Sequence, residues 1–205
     1  MVKDRKVCIF WDNSNIFIGA KDVAGKKESE QARYQVRVDF NKVYELAAAG
    51  RKIEYALAVG SVPPEMRHVW NRLEGAGVQI KLFERGSISE REQAVDQALQ
   101  VEMLRKAMDF NGNPGTAVLL TGDGAGFFDG AGFHADLQRM HKKGWNIEIL
   151  SWEECCNRRM KVWAENVGVF VRLEDFYEEI TFTEDLGKVI RRTKKIDIHK
   201  RKFFI

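Results

Sequence analysis

The sequence predicts an α/β domain: a three-layer sandwich with helices on both faces of a mostly parallel central sheet. Three observations lead there. Short apolar runs recur at 6–11, 52–60, 78–84, 116–121 and 146–151, rich in β-branched residues and bounded by Gly, Pro or Asn, as strands are. Two of them, "VCIF" and "AVLL", are continuous rather than alternating, the pattern of strands covered on both faces. Helical stretches separate the runs, and strands alternating with helices imply right-handed βαβ units.

The elements follow in order. The first strand, KVCIFW, runs directly into Asp12, Asn13, Ser14 and Asn15. Residues 24–37, AGKKESEQARYQVR, read as a polar loop. Helices are expected at 39–49, 64–75, 91–109 and 133–143. Pro63-Pro64 marks the start of the second, and Gly50, Gly77 and Gly144 stand where helices stop. Beyond the fifth strand the chain continues with a helix, an apolar VGVFVRL strand and a short helical turn. No linker rich in Pro, Gly or Ser intervenes. The expectation is one domain over 1–185, its core at 5–155, followed by a basic tail at 186–205.

With 205 residues and 44% hydrophobic content, the chain can bury a sizeable core. It has no 18-residue apolar run, which excludes a transmembrane helix, and its N-terminus reaches charge too soon for a signal peptide. Cys8, Cys155 and Cys156 suit a reducing compartment and lack zinc-site spacing. A cytoplasmic protein without a membrane partner is expected, and the sequence leaves a homo-oligomer open. Net charge is +3, yet residues 186–205 alone hold eight Lys/Arg against one Asp, so the remainder is net −4. An acidic body with a basic tail fits a polyanion held near a cation-binding acidic site.

In an open parallel sheet, ligands bind beyond the carboxyl ends of the strands. The first strand ends at Asp12 and the fourth in Thr121-Gly122-Asp123. Asp96 interrupts the apolar spacing of the third helix, an expensive position for an acid unless it is paired or holds metal. Glu102 follows six residues later. Carboxylates converging from separate elements suit Mg²⁺ or Mn²⁺, and a retained water can then be activated to hydrolyse a phosphodiester. Asp12 is accordingly read as opening an acidic pocket rather than as a helix cap. Ser14, Asn15 and Thr121 are expected to contact substrate, and Arg158, after the fifth strand, to reach a backbone phosphate.

Other constellations fit less well. The glycines of GDGAGFFDGAGF place Phe127 where a dinucleotide fingerprint needs its third glycine. No Walker-type Gly-Lys-Ser/Thr is present, and the four histidines show no ligand spacing. The tryptophans Trp145, Trp152 and Trp163 read as core or interface residues.

The segments IFWDNSNIFIG, AVDQALQVEML and VLLTGDGAGF resemble, in order and spacing, the three signature segments of the NYN family, a branch of the PIN-like nucleases. The resemblance is nearest to its LabA-like group and covers residues 5–150. It matches Asp12 and Asn15 to an Asp-x-x-Asn after strand one. Asp96 and Glu102 match a Val-Asp followed by an acid, and Thr121, Gly122 and Asp123 match a Ser/Thr-Gly-Asp. It implies a PIN-like fold and a metal-dependent endoribonuclease acting on RNA, with Asp12, Asp96 and Asp123 as catalytic metal ligands and Glu102 as a fourth acid. The sequence departs at Ala125, where many relatives carry a second acid, and Asp129 is the nearby substitute. That departure keeps a non-catalytic RNA-binding or regulatory module as the alternative. A phosphatase or nucleotide-binding protein is the weaker third reading.

Overall fold

Residues Val7–Asp12 (β1) alternate between two buried layers, and this strand organises the fold. Val7, Ile9 and Trp11 join one apolar cluster, whereas Cys8 and Phe10 join another on the opposite face. A strand covered on both sides has no need of polar alternation, which is why VCIF reads as a continuous apolar run. The computed structural model describes residues 6–61, 70–83, 88–122 and 130–203, with the backbone alone described at 61 and 88–95.

The main sheet comprises β1, Ile53–Ser61 (β3), Gln79–Phe83 (β4), Thr116–Leu120 (β5), Asn146–Ser151 (β6) and Val169–Arg172 (β7). Its order is β4-β3-β1-β5-β6-β7, and every neighbouring pair is parallel. Chain order reverses between β1 and β5, so the crevice outside their carboxyl ends is the topological switch point of the sheet.

Helices cover both faces. Ile16, Ala20 and Val23 of Asn13–Lys27 (α1), with Val43 and Leu46 of Phe40–Ala48 (α3), pack on the Trp11 face. There Phe40 meets Trp11 edge-on at 5.6 Å between centroids and Trp70 at 5.3 Å, contacts that add specificity to the area buried. Leu99 and Met103 of Ile88–Asp109 (α5), Leu137 and Met140 of Phe133–Lys142 (α6) and Met160 of Arg158–Val167 (α7) cover the Phe10 face. The predicted strands and the helices expected at 39–49, 91–109 and 133–143 appear where the apolar patterning places them, and of the helix expected at 64–75 the described part is Asn71–Gly75 (α4). Gly50, Gly77 and Gly144 close helical segments with φ of +70°, +87° and +91°, a region glycine enters without steric cost. The Pro63-Pro64 helix start lies outside the described residues. Trp145 and Trp152 are buried core residues and Trp163 is half-buried.

Two expectations are corrected. Residues 24–37 are not a loop: α1 runs on to Lys27, a turn of helix follows at Ala32–Gln35 (α2), and Val36–Val38 forms a strand (β2). That strand pairs antiparallel with Thr181–Asp185 (β8), which pairs with Lys188–Arg191 (β9) to make a second, three-stranded sheet. Between β7 and β8 lie a 3-10 turn at Leu173–Phe176 and a short helix at Tyr177–Ile180 (α8).

The basic C-terminal segment also folds onto the domain. Arg191, Lys194, Lys200 and Arg201 form ion pairs with Glu28, Glu178, Glu179 and Glu148. Arg201 is buried, and its guanidinium reaches Glu148 at 2.7 Å. Arg51 meets the same carboxylate through both Nη atoms, each at 2.8 Å. Burial alone would push the Glu148 pKa up, but Arg201 and Arg51 outweigh it and hold it below its ordinary value. A carboxylate with no exposed surface is tolerable here because both of its oxygens are charge-paired. Half of the segment's cations are thus committed to internal pairs.

Candidate active site

Asp12 is the last residue of β1 and is fully buried. Sharing the parity of Cys8 and Phe10, it projects toward the face covered by α5 and α6. It also caps α1, because its Oδ1 accepts from the Asn15 backbone N–H at 3.2 Å and its Oδ2 accepts from Asn15 Nδ2 at 2.6 Å. The sequence reading set the cap against the pocket, and the structure corrects that choice: the carboxylate caps the helix while standing at the switch point. An N-cap acid needs only one oxygen for the helix, so a single residue can serve both ends.

The end of β5 lies beside it. Trp11 pairs with Leu120, and Thr121 continues the strand, its N–H donating to the Leu150 carbonyl at 3.4 Å. Gly122 then passes so close to α1 that a Cβ there would stand 2.7 Å from the Asn15 carbonyl oxygen and 2.8 Å from Asn15 Cβ. Only glycine allows this approach, which explains the residue between Thr121 and Asp123 in physical terms. The turn is held from the other side by Ser151 Oγ, which donates to the Gly122 carbonyl at 2.9 Å. Trp152 Nε1 donates to the Ile16 carbonyl at 2.8 Å and so ties α1 to the end of β6.

Two buried oxygens here have no hydrogen-bond partner among the described residues. Thr121 is fully buried and Asn13 is 6% exposed, and the oxygens concerned are Thr121 Oγ1 and Asn13 Oδ1. Leaving such a group unpaired costs about 1–3 kcal/mol, and in a native protein each instance calls for a reason such as a bound water or ion. Both belong to residues flanking Asp12, one at the first position of α1 and one at the end of β5.

The remaining expected site residues are placed as follows. Ser14 and Asn15 are half-buried in the first turn of α1. Asp96 is half-buried on α5, on the side that carries Leu99 and Met103 into the core. Arg158 is exposed at the first position of α7, which begins beyond the carboxyl end of β6 and is capped by Asn157. Asp123, with Ala125 and Asp129, lies outside the described residues. Among the described residues, no three His, Cys, Asp or Glu side chains gather as a metal-binding group.

Glu102 is brought somewhere else. Its Oε1 accepts from Lys81 at 2.8 Å and Arg105 at 3.0 Å, and its Oε2 accepts from Tyr55 at 3.3 Å. The Lys81 hydrogen bond, reinforced by Arg105, holds its pKa below the ordinary glutamate value against a smaller opposing push from burial. Tyr55 pairs with Cys8, four residues before Asp12, about 13 Å along the strand. Both oxygens of Glu102 therefore serve a charge cluster well below the switch point. Asn13 and Ser151 were not among the expected site residues. The rule that found Asp12 and Thr121, a polar residue closing an apolar strand, also points to Ser151 at the end of NIEILS.

The donors present are a carboxylate, a hydroxyl and an amide oxygen, the hard oxygen set that Mg²⁺ and Mn²⁺ prefer over soft metals. The orphaned Thr121 and Asn13 oxygens beside Asp12 fit such an ion. Sequence comparison then identifies the group: the NYN domain model matches residues 6–161. The chain belongs to the NYN domain family. NYN domains are generally PIN-like nucleases that bind RNA and usually use divalent metals. Among solved structures, a protein of unknown function from Vibrio parahaemolyticus is similar, with a TM-score of 0.60 and 15% sequence identity. That match covers 85% of this chain and 96% of the other, and at such identity it speaks for the fold alone. No curated protein matches the chain significantly. No helix among the described residues is long and apolar enough to cross a membrane.

Proposed function

We propose that this NYN domain is a divalent-metal-dependent endoribonuclease that hydrolyses RNA phosphodiester bonds at the carboxyl edge of β1 and β5. The observation that carries the reading is a pair of buried oxygens with no hydrogen-bond partner among the described residues, Thr121 Oγ1 and Asn13 Oδ1, beside the buried Asp12 carboxylate at the switch point of the sheet. Asp12, Asp96 and Asp123 are the residues that would hold Mg²⁺ or Mn²⁺. The bound ion would supply Lewis acidity toward a phosphoryl oxygen and lower the pKa of a coordinated water. Glu102, whose oxygens are taken by Lys81, Arg105 and Tyr55, is left out of the proposed ligand set.

The chain's own residues do the rest. Asn15 fixes both Asp12 oxygens through its amide groups, so the carboxylate is oriented before substrate arrives. Gly122 lets the chain leaving β5 approach the start of α1, and Ser151 holds it there through the Gly122 carbonyl. Ser14, Asn15 and Thr121 offer neutral donors to a phosphate, and Arg158 a charged one.

The experiment is cleavage of labelled single-stranded and structured RNA with Mn²⁺, Mg²⁺ or chelator, comparing wild type with the Asp12→Asn, Asp123→Asn double variant. Metal-dependent cleavage that the double variant loses is the expected result. RNA binding retained without metal-dependent cleavage in either protein would replace the nuclease with a binding module, the reading that Ala125 favours.

A further inference from the structure

We infer that Phe17, Lys21, Tyr34 and Arg37 form a stacking platform that holds unpaired bases of single-stranded RNA beside Asp12. The inference rests on the RNA-directed reading above and adds the surface by which a strand would be engaged.

The surface starts at the pocket. Asn13, with its orphaned Oδ1, faces the end of β3, its Cβ lying 3.4 Å from where a Gly60 Cβ would stand. Phe17 and Lys21 follow Asn13 at intervals of four residues, so the three share one side of α1. At 1.5 Å per residue they stand about 8 Å and 14 Å along the helix from Asp12. Tyr34, on α2, leans over the same side with 66% of its surface exposed. The Lys21 ammonium sits between the two rings, 6.0 Å from the Phe17 centroid and 5.9 Å from the Tyr34 centroid. Arg37, the central residue of β2, donates from Nη1 to the Tyr34 carbonyl at 2.9 Å and brings a second cation to the same place.

Tyr34 is two-thirds exposed, and the cations beside it set it apart from other exposed apolar residues. Among the described residues Lys21 meets no carboxylate, whereas nearby Arg33 is paired with Asp22 and Glu30. The strip therefore sets an exposed ring, Tyr34, and a ring half-buried against the core, Phe17, among cations that lead outward from the proposed pocket. This is the composition that binds single strands: every base offers a π-face to an aromatic ring, and cations track the backbone. A duplex, whose bases are already stacked on one another, has nothing to offer the rings. The partner is thus RNA with unpaired bases, bound with little dependence on sequence.

The test uses the full chain in chelator, so that binding is read without cleavage, with fluorescein-labelled oligouridine and an RNA duplex as probes in an anisotropy titration. Tyr34→Ala is expected to weaken oligouridine binding about tenfold and to leave duplex binding within twofold. Tyr34→Phe, which keeps the ring, should bind like wild type. Exposed Tyr34 contributes little to the core, and an unchanged melting temperature confirms a folded variant. Unchanged oligouridine binding by Tyr34→Ala, or an equal loss for both probes, overturns the platform. Cleavage assays with Mn²⁺ keep the two proposals separable. Wild-type cleavage with an unaltered KM in Tyr34→Ala overturns the platform and spares the nuclease. Tyr34-dependent binding without any wild-type cleavage supports the platform and removes the nuclease.

Discussion

Two buried carboxylates, Asp12 and Glu148, stand at opposite ends of the same sheet, and their surroundings differ. Glu148, near the amino end of β6, is met on both oxygens by the guanidinium groups of Arg51 and Arg201. Asp12, at the carboxyl end of β1, is oriented by the amides of Asn15, and the oxygens flanking it on Thr121 and Asn13 find no hydrogen-bond partner among the described residues. Burial alone does not distinguish them, since neither side chain has exposed surface. What distinguishes them is the donors that meet them: guanidinium groups from distant segments at Glu148, and the amides of the next helical turn at Asp12. A buried acid bridged to distant arginines holds segments together, whereas one that caps its own helix at the switch point stands where a ligand of an open parallel sheet binds.

The largest effect expected from breaking this comparison is at Glu148. Glu148→Ala leaves two buried arginines facing each other and should destabilise the fold by about 3–5 kcal/mol, read as a lowered denaturant midpoint. A loss under about 1 kcal/mol would mean that the carboxylate does not organise its end of the sheet. Next comes Asp12→Asn. Asparagine caps helices as well as aspartate does, so stability should change by less than about 1 kcal/mol. RNA cleavage should fall at least about 100-fold with loss of the metal-binding charge. Comparable losses of stability and activity would make Asp12 a second Glu148.

Gly122→Ala sharpens the contrast from the backbone side. The added methyl meets the backbone and Cβ of Asn15, and a cost of about 1–3 kcal/mol in chemical denaturation is expected as turn and helix separate. The smallest effect belongs to Glu102. Its folded pKa is depressed chiefly by Lys81, so its contribution to stability is present above the ordinary glutamate titration range and is lost as pH falls through the folded value. Glu102→Gln should flatten the acid limb of the stability–pH curve by less than about 1 kcal/mol and leave cleavage at neutral pH within twofold. A large loss of cleavage would return Glu102 to the site.

The same contrast explains what could be read from the sequence. The main sheet was legible because its strands are short, mostly apolar runs, two of them continuous, and because Gly50, Gly77 and Gly144 stop helices between them, both local signals. The second sheet was not. Its strands are three to five residues long with polar content, and Val36 finds its partner Thr183 only through the fold. The Arg51–Glu148–Arg201 cluster was hidden for a similar reason: a charge reads as exposed until its distant partners are known. At the candidate site, Asp12 and Thr121 stood out as polar residues closing apolar strands. Asp12 as a simultaneous cap did not, because one residue type was made to choose between two compatible roles. Glu102 shares a helix with Asp96, but six residues are about 9 Å of helix rise, enough to deliver it to Lys81 and Tyr55 instead.

The central claim is that the Asp12 end of the sheet awaits a cation while the rest of the fold stands without one. It is tested most directly by the melting temperature of wild type and Asp12→Asn, each in chelator and in excess Mn²⁺. The account predicts equal melting in chelator, then a rise with Mn²⁺ in wild type alone, worth about 3 kcal/mol at a hundredfold excess over the dissociation constant. Equal shifts in both proteins, or a variant that melts far below wild type in chelator, would contradict it.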